Sequence, residues 1–228
     1  MFLEVRYYYS TEWKKMLEMK EERSVRKVND REGMLESLQA IGLFITPILL
    51  VLPFILLRII DLDLVYYIIY TVYILGTIAI LKFNNKKLQD IGISTKGLGE
   101  SLGGSLLFVS ILVIIITVRE GRQVTTELTL LKIVEQVVEN FLFSGLAQEI
   151  LFRGLMLFSI WRWKGWKVAL VITSVLFGFV HITKGINFVL ATMIYGFVYG
   201  YVVYQSKNII GPTVAHGLYN FLLGFLLV

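Results

Sequence analysis

The stretch Ala147-Gln148-Glu149-Ile150-Leu151-Phe152-Arg153-Gly154 sets an amide, an acid and a guanidinium inside a run apolar enough to lie in a membrane. Charged groups at hydrocarbon depth are costly unless they pair or line a wet cavity, so their presence there marks a functional site. Glu149 and Arg153 are four residues apart. On a helix this stacks them on one face with the acid toward the N-terminus, the better orientation for pairing. Gln148 points about 100° away from Glu149 at helical pitch and can face a different neighbour.

Composition extends that membrane setting to the whole chain. Of 228 residues, 56% are hydrophobic, and the mean hydropathy is +0.71, which excludes an ordinary soluble domain. The net charge of +5 is spread over short loops between apolar segments, so the cations read as topological signals and no nucleic-acid partner is expected. There is no cysteine, which removes disulfides, thiolate chemistry and Cys-ligated metal. Residues 1–37 are polar and mixed in charge, unlike a secretory leader. Within them the spacing of Trp13, Met16, Leu17 and Met19 suits a helix at the membrane surface, with Tyr7, Tyr8 and Tyr9 among the headgroups; a solvated extension is the alternative.

Residues 38–228 form the second unit, with seven apolar segments near the length needed to span hydrocarbon. They run from Leu38 to Ile59, Leu64 to Leu81, Leu102 to Val118, Phe141 to Ile160, Val168 to Ile182, Phe188 to Tyr204, and Ile209 to Val228. The fold class is therefore all-α, a polytopic bundle of about seven transmembrane helices around a polar cavity. With the N-terminus inside, sixteen Lys and Arg fall inside and five (Arg58, Arg119, Arg122, Lys132, Lys184) outside, with Arg153 left in the membrane. That bias predicts an integral membrane protein with a cytoplasmic N-terminus and a C-terminus on the opposite side. Residues 1–37 are then a cytoplasmic segment. Lys132, Glu135, Glu139, Glu149 and Arg153 suggest a polar stripe running into the fourth segment, interrupted near Leu142 and Gly145. The pairs Gly99-xxx-Gly103 and Gly196-xxx-Gly200 offer surfaces for close helix packing.

Both histidines of the chain fall in apolar segments. His181 follows Phe177 by one helical turn, and His216 precedes Asn220 by one turn and shares its face. At about 1.5 Å per residue from the inner helix ends, Gln148 and His181 lie roughly 20 Å deep, and His216 and Asn220 roughly 12 and 18 Å deep. These depths overlap enough for one cavity to receive all four.

Gln148-Glu149-xxx-Phe152-Arg153-Gly154, then Phe177-xxx-His181, then His216-xxx-Asn220, resemble the three motifs of the CAAX protease and bacteriocin-processing family, which includes the Ras-converting CAAX endopeptidases. The resemblance runs from about Leu98 to the C-terminus and takes in Ser174 and Asn208-Ile209-Ile210-Gly211-Pro212. It implies an intramembrane endopeptidase, without a cofactor or metal, cutting near the C-terminus of a membrane-associated peptide or lipidated protein. Residue for residue, it implies that position 148 carries the carboxylate that activates water and that His181 helps to hold that water. His216 and Asn220 would stabilise the oxyanion, and Glu149 and Arg153 would form a supporting pair.

The sequence departs from the family pattern at its first glutamate, which is Gln148. An amide keeps the shape and can hold a water, but it cannot take a proton from one at neutral pH. Impaired turnover follows, whether from a replacement that traps substrate or stabilises the protein, or in a natural member that binds without cutting. Glu149 as the base ranks below both, because freeing it would strand a buried guanidinium. Two alternatives remain. One is a non-catalytic scaffold or bacteriocin-immunity-type protein that holds a peptide or partner helix. The other is a zinc peptidase using His181, His216 and Glu149, weakened by the lack of a His-Glu-xxx-His pair on one helix.

Overall fold

The computed structural model of the chain describes residues 30–54, 57, 61–124 and 128–227. The surface-helix expectation for Tyr7 to Met19, and Arg58, lie outside the described residues. The described chain is helical: α1 (Asp30–Phe54), α2 (Leu62–Phe83), α3 (Leu98–Glu120), α4 (Leu130–Lys164), α5 (Trp166–Phe179), α6 (Ile186–Ser206) and α7 (Ile210–Phe221). A short 3₁₀ turn, Leu88–Ile91, lies between α2 and α3.

Five of these helices, α1 to α4 and α6, are long and apolar enough to cross a membrane. The expectation of about seven spans is thus met in part, since α5 has 14 residues and α7 has 12 before a π-wound turn, Leu222–Leu226, extends it. The physical reason lies in small and breaking residues. Gly185, at φ 92°, follows the turn that ends α5, and apolar composition in the last residues of the chain does not by itself prolong α7. Apolar side chains such as Leu107, Ile114, Leu190 and Ile194 stay exposed on the outer faces, as suits contact with lipid.

α4 is the central helix. In its most apolar window 72% of residues are buried, against 28% or less in the other four spanning helices. Its core face meets α1 and α2 through Phe44, which packs edge-on against Phe152 at 5.3 Å, and through Tyr70 and Tyr73. Glycines let α7 approach both α4 and α3. A Cβ on Gly145 would lie 3.0 Å from the Thr213 carbonyl oxygen, and one on Gly217 would lie 2.6 Å from the Phe141 ring. Of the two predicted small-residue pairs, only Gly196 and Gly200 serve packing, against Ser174 and Leu170 of α5. Gly99 and Gly103 face open space, because α3 turns that side away from its neighbours.

Contacts between connections define the two ends of the bundle. At one end, Asn208 Nδ2 donates to the carbonyls of Ser94 (2.6 Å) and Lys96 (3.0 Å), and the Ile209 amide donates to Gly92 (2.9 Å). Glu36 of α1 joins that end by pairing with Lys86 at 3.4 Å and with Arg162. Asn208 also receives the Ile210 amide on its Oδ1 at 2.8 Å, which satisfies the first amide of α7 from the residue before its cap. At the other end, Arg122 Nη1 donates to the carbonyls of Leu223 (2.5 Å) and Leu227 (2.8 Å), closing the last turn of the chain. The loops rich in lysine and arginine all belong to the first, basic end.

Gly211 is packed more tightly than Gly145 or Gly217, since an added Cβ would fall 2.1 Å from the Ser101 backbone oxygen. Gly211→Ala is expected to lower stability by about 1–3 kcal/mol through overpacking. Gly103→Ala, on an open helix face, is expected to shift stability by less than about 1 kcal/mol, in the stabilising direction. Thermal unfolding of the purified variants in detergent measures both.

Candidate active site

The site is built on α4, and α4 is not a uniform α-helix. Val138–Leu146 and Ile150–Met156 are π-wound, and Ala147–Glu149 form a short α-helical piece between them. Such wide turns are rare and gather at functional sites, because the extra residue per turn re-aims side chains. Gln148 and Glu149 sit at the junction, 2% and 0% exposed. Gln148 does face its own neighbour: its Nε2 donates to the Tyr70 hydroxyl of α2 at 2.8 Å. Gln148 Oε1 is buried with no hydrogen-bond partner in the protein.

Glu149 turns the other way and makes the central contact of the site. Its Oε1 lies 3.2 Å from Arg153 Nη1 and accepts from His216 Nδ1 of α7 at 3.0 Å. All three side chains are buried, which such charges tolerate only when they neutralise one another. Arg153 gains a second partner: its guanidinium carbon sits 3.9 Å above the centre of the Phe177 ring of α5, a cation–π contact strengthened by the absence of water. The Arg153 guanidinium nitrogens and Glu149 Oε2 lack a well-aligned hydrogen bond, so this pair retains unused donor and acceptor capacity.

Phe177 is also where the two histidines come together. The ring centroids of His181 and His216 lie 5.4 Å and 5.8 Å from that of Phe177, both edge-on. His181 is not on a helix, however. α5 ends at Phe179, and His181 lies in the turn beyond it, with its Nδ1 on the Phe177 carbonyl at 3.1 Å. Hydrophobicity alone carried the predicted segment through Ile182, whereas the backbone there already winds into the 3₁₀ turn Ile182–Lys184. Asn220 shares the face of His216, but its Nδ2 donates to Ser144 of α4 at 2.7 Å and makes no contact with Gln148 or Glu149.

The site therefore gathers Glu149, Arg153 and His216 directly, holds His181 against the shared Phe177, ties Asn220 in through Ser144, and turns Gln148, next to Glu149 in the chain, toward Tyr70. Tyr70 and Ser144 were not singled out in the sequence. Tyr66, Tyr70 and Tyr73 recur at helical spacing on α2, which signalled an aromatic face without saying what it would meet. The polar stripe also differs from expectation: Lys132 and Glu135 are exposed, and the interior file is instead Gln136, Asn140, Ser144 and Gln148. Among the described residues no group of three His, Cys, Asp or Glu stands where it could hold a metal ion, so the proposed zinc set of His181, His216 and Glu149 is not assembled.

An acid–arginine pair on one helix meets a histidine of a second helix, and the Phe177 ring under that pair carries the other histidine from the turn after α5. Residues 130–222 match the family model described as type II CAAX prenyl endopeptidase Rce1-like. The resemblance is borne out over α4 to α7, a segment that holds all six motif residues; α3, part of the stretch first thought similar, lies outside the match. Comparison with curated proteins and with solved structures gives no match. The match spans 93 of the 228 residues and supports, as the general kind of function, that of a membrane CAAX protease.

Removing one member of the buried pair should leave the other uncompensated. Glu149→Ala is expected to destabilise by about 3–5 kcal/mol, and Arg153→Met added to it to restore much of that loss. Unfolding of the single and double variants in detergent checks it, and an additive loss would contradict the pairing.

Proposed function

We propose that residues 38–228 are the membrane domain of a CAAX-type glutamate intramembrane endopeptidase scaffold, and that its turnover is impaired by Gln148. The carrying observation is the convergence on Glu149 Oε1 of Arg153 from the same helix and His216 from another, with Gln148 beside it. In the full reaction a glutamate at 148 takes a proton from water, whose oxygen adds to the carbonyl of a peptide bond near the substrate's C-terminus. The oxyanion meets donors from His216 and Asn220, and collapse of the intermediate returns a proton to the leaving amine. His181 helps to hold the water. With Nδ1 turned to Glu149, Nε2 is the ring nitrogen of His216 that faces the oxyanion. Glu149 is engaged by two partners, which argues against its serving as the base.

The bilayer and a peptide or lipidated protein C-terminus are the partners in this reading. Seven helices enclose the site, α5 and α7 completing the bundle as shorter members. The N-terminal segment, residues 1–37, lies in the cytoplasm and the C-terminus on the opposite side, supported by the sixteen-to-five bias of basic residues. One observation favours a second reading: the amide at 148 makes a non-catalytic scaffold, or an immunity-type protein, that holds a peptide without cutting it.

Gln148→Glu is expected to yield cleavage of C-terminal peptides in detergent or liposomes, and His181→Ala in that background to abolish it. Mass spectrometry of a panel of lipidated and unlipidated peptides reads the outcome. Tight peptide binding without cleavage by Gln148→Glu would move the assignment to the scaffold, and equal activity in all three proteins would remove the protease assignment.

A further inference from the structure

The two halves of α4 on either side of Gln148 differ in kind. Toward the basic end, every residue from Ile150 to Leu157 is buried, and all but Arg153 and Gly154 are apolar. A Cβ on Gly154 would touch Ile91 and Ile209 at 3.4 Å, so connections of the basic end close directly over this half. Arg153, the one charge there, is taken up by Glu149 and Phe177. Beyond Leu157 the buried Ser159 spends its hydroxyl on the Met156 carbonyl at 3.0 Å, so no file of polar side chains leads from the basic end to the site along this helix.

Toward the opposite end a file of polar side chains runs the whole way. Gln136, Asn140, Ser144 and Gln148 follow one another at steps of four. In an α-helix four residues overshoot a turn and in a π-helix they fall short of one, so a helix that changes from one winding to the other keeps the file straight. Asn140 Nδ2 donates to the Gln136 carbonyl (2.8 Å) and side chain (3.2 Å), Gln136 Nε2 donates to Glu139 (3.1 Å), and Ser144 accepts from Asn220. Burial deepens along the file: Gln136, Glu139 and Asn140 are half-buried, Ser144 is 7% exposed and Gln148 is 2% exposed. His181 stands at the same end, in the turn beside exposed Ile182 and Lys184.

We infer that water and substrate reach position 148 along this file from the end opposite the basic loops. Because basic loops mark the cytoplasmic side, the substrate class is then a peptide presented on the non-cytoplasmic face of the membrane, as opposed to the tail of a cytoplasmic protein. The word substrate rests on the protease proposal; the route does not, and it can be read without any catalysis.

The absence of cysteine makes the full-length chain a ready background for single-cysteine labelling. The thiolate is the reactive form, so a thiol in hydrocarbon stays inert while one in water is modified. Asn140→Cys is compared with Val138→Cys, which lies at similar depth on an exposed apolar face, using a membrane-impermeant maleimide on intact cells. Lys184→Cys and Lys164→Cys report the two ends, and Gln136→Cys substitutes if Asn140→Cys does not accumulate. The expected result is labelling of Asn140→Cys and Lys184→Cys in intact cells, with Asn140→Cys at least about tenfold faster than Val138→Cys, and labelling of Lys164→Cys only after permeabilisation. Labelling of Asn140→Cys no faster than Val138→Cys, or only after permeabilisation, overturns the inference. Absence of cleavage by Gln148→Glu would fail the protease proposal while leaving the labelling result standing.

Discussion

A carboxylate with no contact to water sits at the centre of this molecule, and the rest of the bundle is arranged to make that tolerable. Glu149 is fully buried, so it needs partners in fixed positions, and the Arg153 guanidinium and the His216 ring nitrogen supply them. Arg153 sits one turn along the same helix, which any α4 would provide. His216 must be delivered by α7, and that requires α7 to cross α4 at backbone contact. Gly145 and Gly217 remove the side chains that would hold the two helices apart. The charge and the glycines are one device.

The same constraint explains the winding of α4. In a regular helix Gln148 and Glu149 differ by a fixed rotation, and their neighbours above and below follow in step. The π turns on either side let the apolar half pack against α2 and the basic-end connections while the polar half keeps its own file toward the opposite end. Phe177 then serves both halves, stacking under the Arg153 guanidinium on one side and bearing the edges of both histidine rings on the other. An aromatic ring suits this place because its face attracts a cation and its apolar body excludes water.

Around this centre the two ends of the bundle do different work. The basic end is tied together by Asn208, Glu36 and their partners, and its connections press onto α4 at Gly154 through Ile91 and Ile209. The opposite end is held by Arg122 on the carbonyls of Leu223 and Leu227 and carries the half-buried Gln136, Glu139 and Asn140 of α4 and the exposed Lys184 of the α5–α6 turn. A site sealed on one side and polar on the other has a direction, and direction is a tertiary property.

The sequence by itself determined that the chain is a helical membrane protein, and it singled out six polar residues in three motifs. Hydrocarbon makes intramembrane charge so costly that Glu149, Arg153, His181 and His216 stood out without any coordinates. The four-residue spacing of Glu149 and Arg153 was enough to pair them. Partners on other helices were not legible, since Tyr70 and Ser144 are chemically ordinary in their own segments and acquire meaning only from what faces them. Composition likewise could not end α5 before His181 or distinguish a packed Gly196 from an idle Gly103, because hydrophobicity measures solubility in lipid and carries no record of helix winding or crossing. Those were decided where helices touch, by the room that glycines leave and by the need of a buried carboxylate for more than one hydrogen-bonding neighbour.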